Sequence, residues 1–250
     1  MKITNRNNYP EAFVLAVTND NYSRGDSEFS ATSLLQPPRI TALLKKHDAE
    51  LEKDVDDMAF ILYGHLGHAI LERANKSCIV EKRYFGEIDG VKISAQVDSL
   101  SLGDDGLLID WKFTTVYGFK HGSKPKEDWV KQMNIQLELL RQNGLEAKKM
   151  QIWGMLRDWR PGESKKEGFK YPSKLGHHDI PIFPRPETRG MIRNMIAAHR
   201  HAEHTLPLCS PEDNWGSRRC LDYCEVSKFC SQYQQSKKTG IINKGVSLEI

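Results

Sequence analysis

Residues 79–114 read IVEKRYFGEIDGVKISAQVDSLSLGDDGLLIDWKFT, and the fold class turns on how this stretch is read. Three runs, Ile79 to Phe85, Val91 to Leu100 and Leu107 to Thr114, are rich in apolar and β-branched residues. Asp89-Gly90 separates the first two, and Gly103-Asp104-Asp105-Gly106 the last two. Runs of this kind bounded by Gly and Asp are strands and turns. In the second run Val91, Ile93, Ala95 and Val97 fall on one face. Connections this short join antiparallel neighbours, so the stretch is an antiparallel meander.

Working outward from the meander, the pattern becomes helical. Downstream, Trp129, Met133, Leu137 and Leu140 form one stripe of a helix from about Lys126 to Asn143, stopped by Gly144. Met150 to Leu156 is a further strand. Arg157 to Gly176 has loop composition, and Asp179 to Phe183 is a short edge strand because it carries Pro181. Pro186 to His204 is helical again. Upstream, a short helix from Ile40 to Lys46 precedes a longer pattern from about Ala49 to Ala74, interrupted by Gly64 and Gly67. The order predicts an α+β fold: a mixed central β-sheet with an antiparallel meander, flanked by helices. The chain divides into an N-terminal segment (1–30), a core (31–205), a four-cysteine segment (206–235) and a polar tail (236–250).

Composition sets outer limits. Of the 250 residues, 39% are hydrophobic and 28% charged, which describes a soluble globular chain. No apolar run approaches the ~20 residues that cross a bilayer, and Met1 to Pro10 has no apolar signal region, so the expected location is cytoplasmic, with no membrane partner. The 36 basic and 33 acidic residues leave a net charge of +3, so any nucleic-acid surface must be local. Lysines do gather at Lys120, Lys124, Lys126 and Lys131, and again at Lys165, Lys166, Lys170 and Lys174; a solvated surface explains either group equally well.

The third strand also carries chemistry. Asp110 and Lys112 lie two residues apart, on one strand face, about 6–7 Å from each other, while Ile109, Trp111 and Phe113 turn to the other face and a core. A carboxylate binds a hard cation, and a lysine beside it can orient water and offset charge on a phosphorane-like transition state. An ordinary surface ion pair has the same spacing. Asp98 shares a face with Lys92, Ser94 and Gln96, and the hairpin brings it near Asp110. Two carboxylates on adjacent strands repel unless a cation lies between them. Upstream, Gly64, His68 and Glu72 form a G-x3-H-x3-E pattern that puts His68 and Glu72 on one helical face. His68 is then a candidate ligand, one that biases the site toward Mn²⁺, or a packed histidine bonded to Glu72. Gln132 and Gln136 share a face of the following helix and either hold a water, a base or the lysine, or are solvated.

Taken in order, these motifs resemble the RecB-like and Cas4-like branch of the PD-(D/E)XK nucleases, particularly those of phages and prophages, over roughly Ser30 to Gln232. Gly64 to Glu72 is similar to the family's first motif, Asp98 to its motif aspartate, and Asp110-Trp111-Lys112 to its (D/E)-x-K. Gln132 to Gln136 is similar to its Q-x3-Y helix, with Gln136 where the family has tyrosine. The resemblance implies a restriction-endonuclease-like core and a Mg²⁺ or Mn²⁺ site held by His68, Asp98, Asp110 and the Trp111 carbonyl. It makes Lys112, Asp110 and Asp98 catalytic, and Glu72, Gln132 and Gln136 supporting or DNA-facing. The implied activity is DNA hydrolysis, exonucleolytic on ends or single strands. The alternatives are a structure-specific or nicking endonuclease, or a non-catalytic DNA-binding subunit of a helicase-nuclease or packaging complex. Recombination or helicase partners and a homo-oligomer are compatible with it. No Walker-type sequence is present, so the chain does not drive a helicase itself.

Four of the five cysteines, Cys209, Cys220, Cys224 and Cys230, are spaced C-x10-C-x3-C-x5-C. In a cytoplasmic chain this points to a metal rather than to disulfides, either a [4Fe–4S] cluster or Zn²⁺. The segment around Cys220, Cys224 and Cys230 resembles the C-terminal cluster segment of Cas4-like and AddB-like nucleases. Cys209 is the chosen fourth ligand, and Cys78, which opens an apolar strand, is expected to be a core residue.

Overall fold

The computed structural model of the chain describes residues 1–19, 25–74, 78–103, 106–120 and 122–238, the side chain of Phe169 excepted. The Asp104-Asp105 centre of the second turn and the tail beyond Lys238 lie outside the described residues. The strands are β1 (Lys2–Thr4), β2 (Phe29–Ser30), β3 (Glu52–Asp54), β4 (Cys78–Ile88), β5 (Val91–Ser101), β6 (Leu107–Thr114), β7 (Lys149–Leu156) and β8 (Leu175–Asp179). The helices are α1 (Glu11–Thr18), α2 (Ala31–Leu34), α3 (Pro38–Lys46), α4 (Ile61–Ala74), α5 (Glu127–Gln142), α6 (Pro161–Glu167), α7 (Arg185–Thr205), α8 (Pro211–Asn214), α9 (Arg218–Asp222) and α10 (Ser231–Lys238).

The fold is α+β, built on a mixed six-stranded sheet with the antiparallel meander β4-β5-β6 at its heart. The β4–β5 turn has Asp89 and Gly90 both at positive φ, 50° and 80°, the backbone that matches the twist of a two-residue hairpin. Strand β7 joins β6 in parallel through α5, and β8 closes the edge antiparallel to β7. Strand β2 pairs in parallel with β5 through Phe29 and Ser30. Helix α5 is buried continuously from Met133 to Leu140, with Met133, Ile135, Leu137, Leu139 and Leu140 fully enclosed and the polar Asn134, Gln136 and Glu138 buried among them. Its neighbours are the sheet on one side and α7, through Ile192 and Ile196, on the other.

Four sequence expectations change. The long helix from Ala49 breaks into a short turn, strand β3 and a second turn before α4 begins at Ile61. The reason is Asp54, whose buried carboxylate accepts hydrogen bonds from Thr4 Oγ1 at 2.7 Å and from the Arg6 amide at 3.0 Å, tying β1 to β3. The edge strand lies earlier, at Leu175–Asp179, and α6 forms within the expected loop. Pairing continues one step to the Ile180 amide and stops at Pro181, which has no N–H. Finally, Trp111 and Phe113 are only half-buried, and the face of β6 bearing Asp110 is the one that packs under α5. The expected helices at α5 and α7 form within one residue of their predicted ends.

Helix α4 seats on β6 at Gly67, where an added Cβ would lie 1.7 Å from Phe113 Cζ. The glycine therefore serves a close approach. Gly67→Ala should cost about 1–3 kcal/mol through overpacking. Thermal denaturation should show the loss and its recovery when Phe113→Ala is added; an unshifted midpoint would refute the contact.

Candidate metal-binding and catalytic cleft

Strands β5 and β6 pair only through Ser99↔Ile109 and Leu100↔Leu108. One step further the same register would set Asp98 opposite Asp110, and there the ladder opens. In place of a ladder bond, the Trp111 amide donates to Asp98 Oδ2 at 2.7 Å. The opening forms a cleft lined by His65, His68, Glu81, Arg83, Gln96, Asp98, Asp110, Trp111, Lys112, Gln132 and Gln136, with Ser30 to Thr32 at its rim. It thus unites all the residues expected at the divalent-metal site except Glu72.

Asp110 is buried at 1% exposure, and three donors surround its carboxylate. Lys112 Nζ lies 2.6 Å from Oδ2, Gln132 Nε2 donates to Oδ1 at 2.9 Å, and Gln136 Nε2 reaches Oδ1 at 3.4 Å. Lys112 Nζ also donates to Gln132 Oε1 at 3.1 Å. Helix α5 therefore holds both members of the Asp-x-Lys pair. Gln136 is almost fully buried at the base of the cleft and donates also to the Gln96 carbonyl, which braces the site from within.

Burial lowers the lysine's affinity for its proton, but the charge of Asp110 and its hydrogen bond reverse this, so Lys112 ends above its ordinary pKa. Asp98 moves the other way from a normal acid. Desolvation, then repulsion from Asp110, raises it to about 8.

On the other flank, His68 Nδ1 lies 2.7 Å from Glu81 Oε1 and 3.7 Å from Asp98 Oδ2. The hydrogen bond to Glu81 raises the His68 pKa against the opposing effect of burial. Burial pushes Glu81 up, but its bonds to His68 and Gln96 bring it below the usual range. His68, Glu81 and Asp98 present ligand atoms all within 4.8 Å of one another, a set suited to a divalent cation.

Glu72, paired with His68 in the sequence reading, is exposed on α4 and does not line the cleft. Four residues is one helical turn, but His68 is turned toward the sheet and meets Glu81 instead. Glu81 is the residue that sequence reasoning missed. Its signal was available: the two-residue turn at Asp89-Gly90 sets the β4–β5 register and makes Glu81 the opposite number of Asp98. Pairing lapses at that one step, where Glu81 takes φ of 45°. A non-glycine residue with this backbone is uncommon and typical of constrained sites.

Five of the eight clustered lysines have partners within the protein. Lys120 pairs with Glu167, Lys131 with Glu127 and Lys166 with Glu163, while Lys126 and Lys174 lie over Trp129 and Trp159.

At the C-terminal end, Cys209, Cys220, Cys224 and Cys230 line a second cavity beside Arg39, Ile40 and Leu43 of α3. The expected compact cysteine cluster is not formed: among the described residues no three sulfurs lie mutually within 4.8 Å. The short elements explain this, since Cys209 follows α7, Cys220 is within α9, Cys224 follows it and Cys230 precedes α10. Burial raises the Cys209 thiol to about 12 and lifts those of Cys220 and Cys224 as well. Val226 and Cys230 pack with Ile40, Leu43 and Leu51 in a small second core, which docks the segment on α3.

Fold and cleft together define an α+β protein with a carboxylate–histidine–lysine site between diverging strands. No known family's sequence profile and no curated protein matches the chain. Among solved structures, that of SSO0001 is similar in fold, with a TM-score of 0.56 and 17% identity, over 85% of this chain and 89% of that one. Among the described residues no helix is long and apolar enough to cross a membrane.

Proposed function

We propose that the chain is a Mg²⁺- or Mn²⁺-dependent DNA nuclease of the PD-(D/E)XK type, acting in the cytoplasm on DNA ends or single strands. The observation that carries this reading is the convergence of Asp98, Asp110 and Lys112 in one cleft with His68 and Glu81. The residues fit a divalent cation: Asp98 and Asp110 come from adjacent strands where the ladder opens, close enough to repel, and Asp98 is held protonated near neutral pH without a counter-ion. His68, Asp98, Asp110 and the Trp111 carbonyl would hold the ion, with Glu81 added to the set. The ion would supply Lewis acidity and lower the pKa of bound water. Lys112 holds its proton and faces the cleft, where it offsets negative charge gathering on the phosphoryl oxygens. Gln132 fixes the distance between Lys112 and Asp110.

A second, cysteine-bound centre belongs to the same proposal. Four soft thiols on one cavity suit iron–sulfur or zinc, and metal binding would deprotonate them despite their raised pKa values. A tetrahedral zinc ion with Zn–S bonds of ~2.3 Å needs sulfurs ~3.8 Å apart. Either centre would have to draw the sulfurs together, since among the described residues no three lie mutually within 4.8 Å; the choice of [4Fe–4S] over Zn²⁺ rests on the resemblance of the segment around Cys220, Cys224 and Cys230 to the cluster segment of Cas4-like and AddB-like nucleases.

The test is end-labelled linear DNA beside circular single-stranded DNA, with Mg²⁺ or Mn²⁺. Metal-dependent loss of the linear substrate alone is the expected result; cutting of the circle would make the enzyme an endonuclease, and cutting of neither would end the proposal. Glu81→Gln should weaken Mn²⁺ binding about tenfold or more, the scale on which groups that ligate or support a metal act. Titration calorimetry measures it, and an unchanged affinity would remove Glu81 from the ligand set.

A further inference from the structure

We infer that Trp111, Trp153 and His177, a row of rings crossing β6, β7 and β8 on the sheet face turned away from α5, form a stacking platform for unpaired bases of a nucleic-acid strand that enters the cleft. This rests on the reading of the cleft as a nuclease site and adds the surface that would favour single strands there.

The three residues are cross-strand partners. The registers set Trp111 opposite Trp153, and Trp153 opposite His177. Neighbouring strands lie about 4.8 Å apart, so partnered rings fall within the range of aromatic contact. The centroids of Trp111 and Trp153 are 6.3 Å apart at 42°, and those of Trp153 and His177 are 4.7 Å apart at 19°. Both indoles are half-buried, and His177 at the β8 edge is exposed. The polar edge of the middle ring is already taken: Trp153 Nε1 donates to Gln151 Oε1 at 2.9 Å, and Gln151 Nε2 donates to Asp179 Oδ1 at 2.8 Å. This chain of bonds fixes the indole, so that what it offers a ligand is π surface, and it occupies the acid on this face of β8. Lys149 stands exposed on the same face of β7.

The row begins at the cleft. Trp111 lies between Asp110 and Lys112 and is part of the cleft lining. Alternation along β6 sends Asp110 and Lys112 to the α5 face and Trp111 and Phe113 to the other. Helix α4 sits on that other face, against Phe113, and from there brings His65 and His68 to the cleft. The gap in the β5–β6 ladder is therefore open to the face that carries the rings. A strand with a phosphodiester in the gap has its next bases beside Trp111, and the row leads them toward the β8 edge. Every base has a π face, so ring stacking holds single strands with little regard to sequence, whereas paired bases in a duplex keep their faces covered by one another. Met155 and Leu175 are partners one side-chain step along the same face, so a second copy of the chain is the competing occupant. Continuity of the row with the cleft, and an aromatic ring on each of three strands, favour the nucleic-acid strand.

The experiment uses the full chain without divalent ions, so that binding is read apart from hydrolysis. Fluorescence anisotropy measures the affinity for an end-labelled oligothymidylate and for a blunt duplex, with wild type, Trp153→Leu, Trp153→Phe and His177→Ala. Trp153→Leu should weaken binding of the single strand about five- to a hundredfold, the scale of one base–ring stack, and leave the duplex unchanged. Trp153→Phe should keep most of the affinity, and His177→Ala should lose less than Trp153→Leu. Unchanged single-strand affinity in Trp153→Leu and His177→Ala would overturn the inference, and so would an equal loss for the duplex. A wild-type dimer that Trp153→Leu dissociates in sedimentation, with no effect on the single strand, would assign the face to a contact between copies instead. If Trp153→Leu is insoluble, the exposed edge of the row carries the comparison: His177→Ala should lose single-strand affinity and His177→Phe should keep it. The two readings fail separately. Hydrolysis with Mn²⁺ of a dinucleotide, too short to reach along the row, together with ring-independent binding would end this inference and leave the nuclease reading standing. Ring-dependent binding without hydrolysis of any substrate would support the platform and end the nuclease reading.

Discussion

Asp110→Asn and Lys112→Ala each lower DNA cleavage by at least about a thousandfold, the scale on which preorganised charge stabilisation acts, while leaving the fold intact. The geometry gives the two variants different causes. Asp110 is held by Gln132 at 2.9 Å and by Lys112 at 2.6 Å, so an amide keeps the shape of the site but removes the negative charge that a cation needs. Asp110→Asn should therefore lose metal affinity and cleavage together. Lys112→Ala removes the only positive side chain paired with Asp110 among the described residues and leaves the carboxylates in place. It should bind Mn²⁺ at least as tightly as wild type, because repulsion between the cation and the ammonium disappears, yet turn over no faster than Asp110→Asn. Calorimetric Mn²⁺ titration beside a single-turnover cleavage assay separates the two. Normal cleavage by either variant would dismiss the assigned site.

The second large effect is on pH. With Asp98 raised to about 8, the metal-free site holds a proton through the neutral range, and a cation must displace it. Apparent Mn²⁺ affinity should rise about tenfold per pH unit from pH 6 to 8 and level off above. The raised His68 adds to the slope wherever the pH climbs through its own titration. The sign for stability is opposite. Asp98 ordinarily titrates near ~3.9 when unfolded, so between that value and about 8 the folded chain carries the extra proton, and stability falls as pH rises. His68 contributes in the same sense, since its folded pKa is also raised and its share is lost as pH climbs through it. The metal-free thermal midpoint should therefore decline from pH 5 to 8, and saturating Mn²⁺ should flatten or reverse the decline. A Mn²⁺ affinity that does not change between pH 6 and 8 would contradict the buried, protonated Asp98.

Much of the site could be read before the fold was known. Asp98, Asp110 and Lys112 sit on strands whose turns announce themselves in Asp89-Gly90 and Gly103 to Gly106, and short hairpins leave little freedom in what faces what. His68 lines the cleft with Asp98 and Asp110, but it meets Glu81 where helical spacing points to Glu72. Helical spacing nominated Glu72, and the cross-strand register that nominates Glu81 becomes visible only when β4 is laid against β5. The cysteines show the opposite limit. Their spacing marks a shared purpose, but the distances between sulfurs depend on how α7, α9 and α10 settle against α3.

Alone, the amino-acid order determined what local physics controls: the meander, the helices α5 and α7, and the placing of an acid and a lysine on one strand face. These follow from periodicity, turn chemistry and residue type over a few neighbours. Tertiary structure decided which face of β6 is buried, where the β5–β6 ladder parts, that Glu81 joins His68 and Asp98, and that Arg39 meets Cys230. Each of those depends on contacts between residues far apart in the chain, 191 positions for Arg39 and Cys230. Such pairings are selected by packing and by the cost of burying charge without a partner, which no short window of sequence contains.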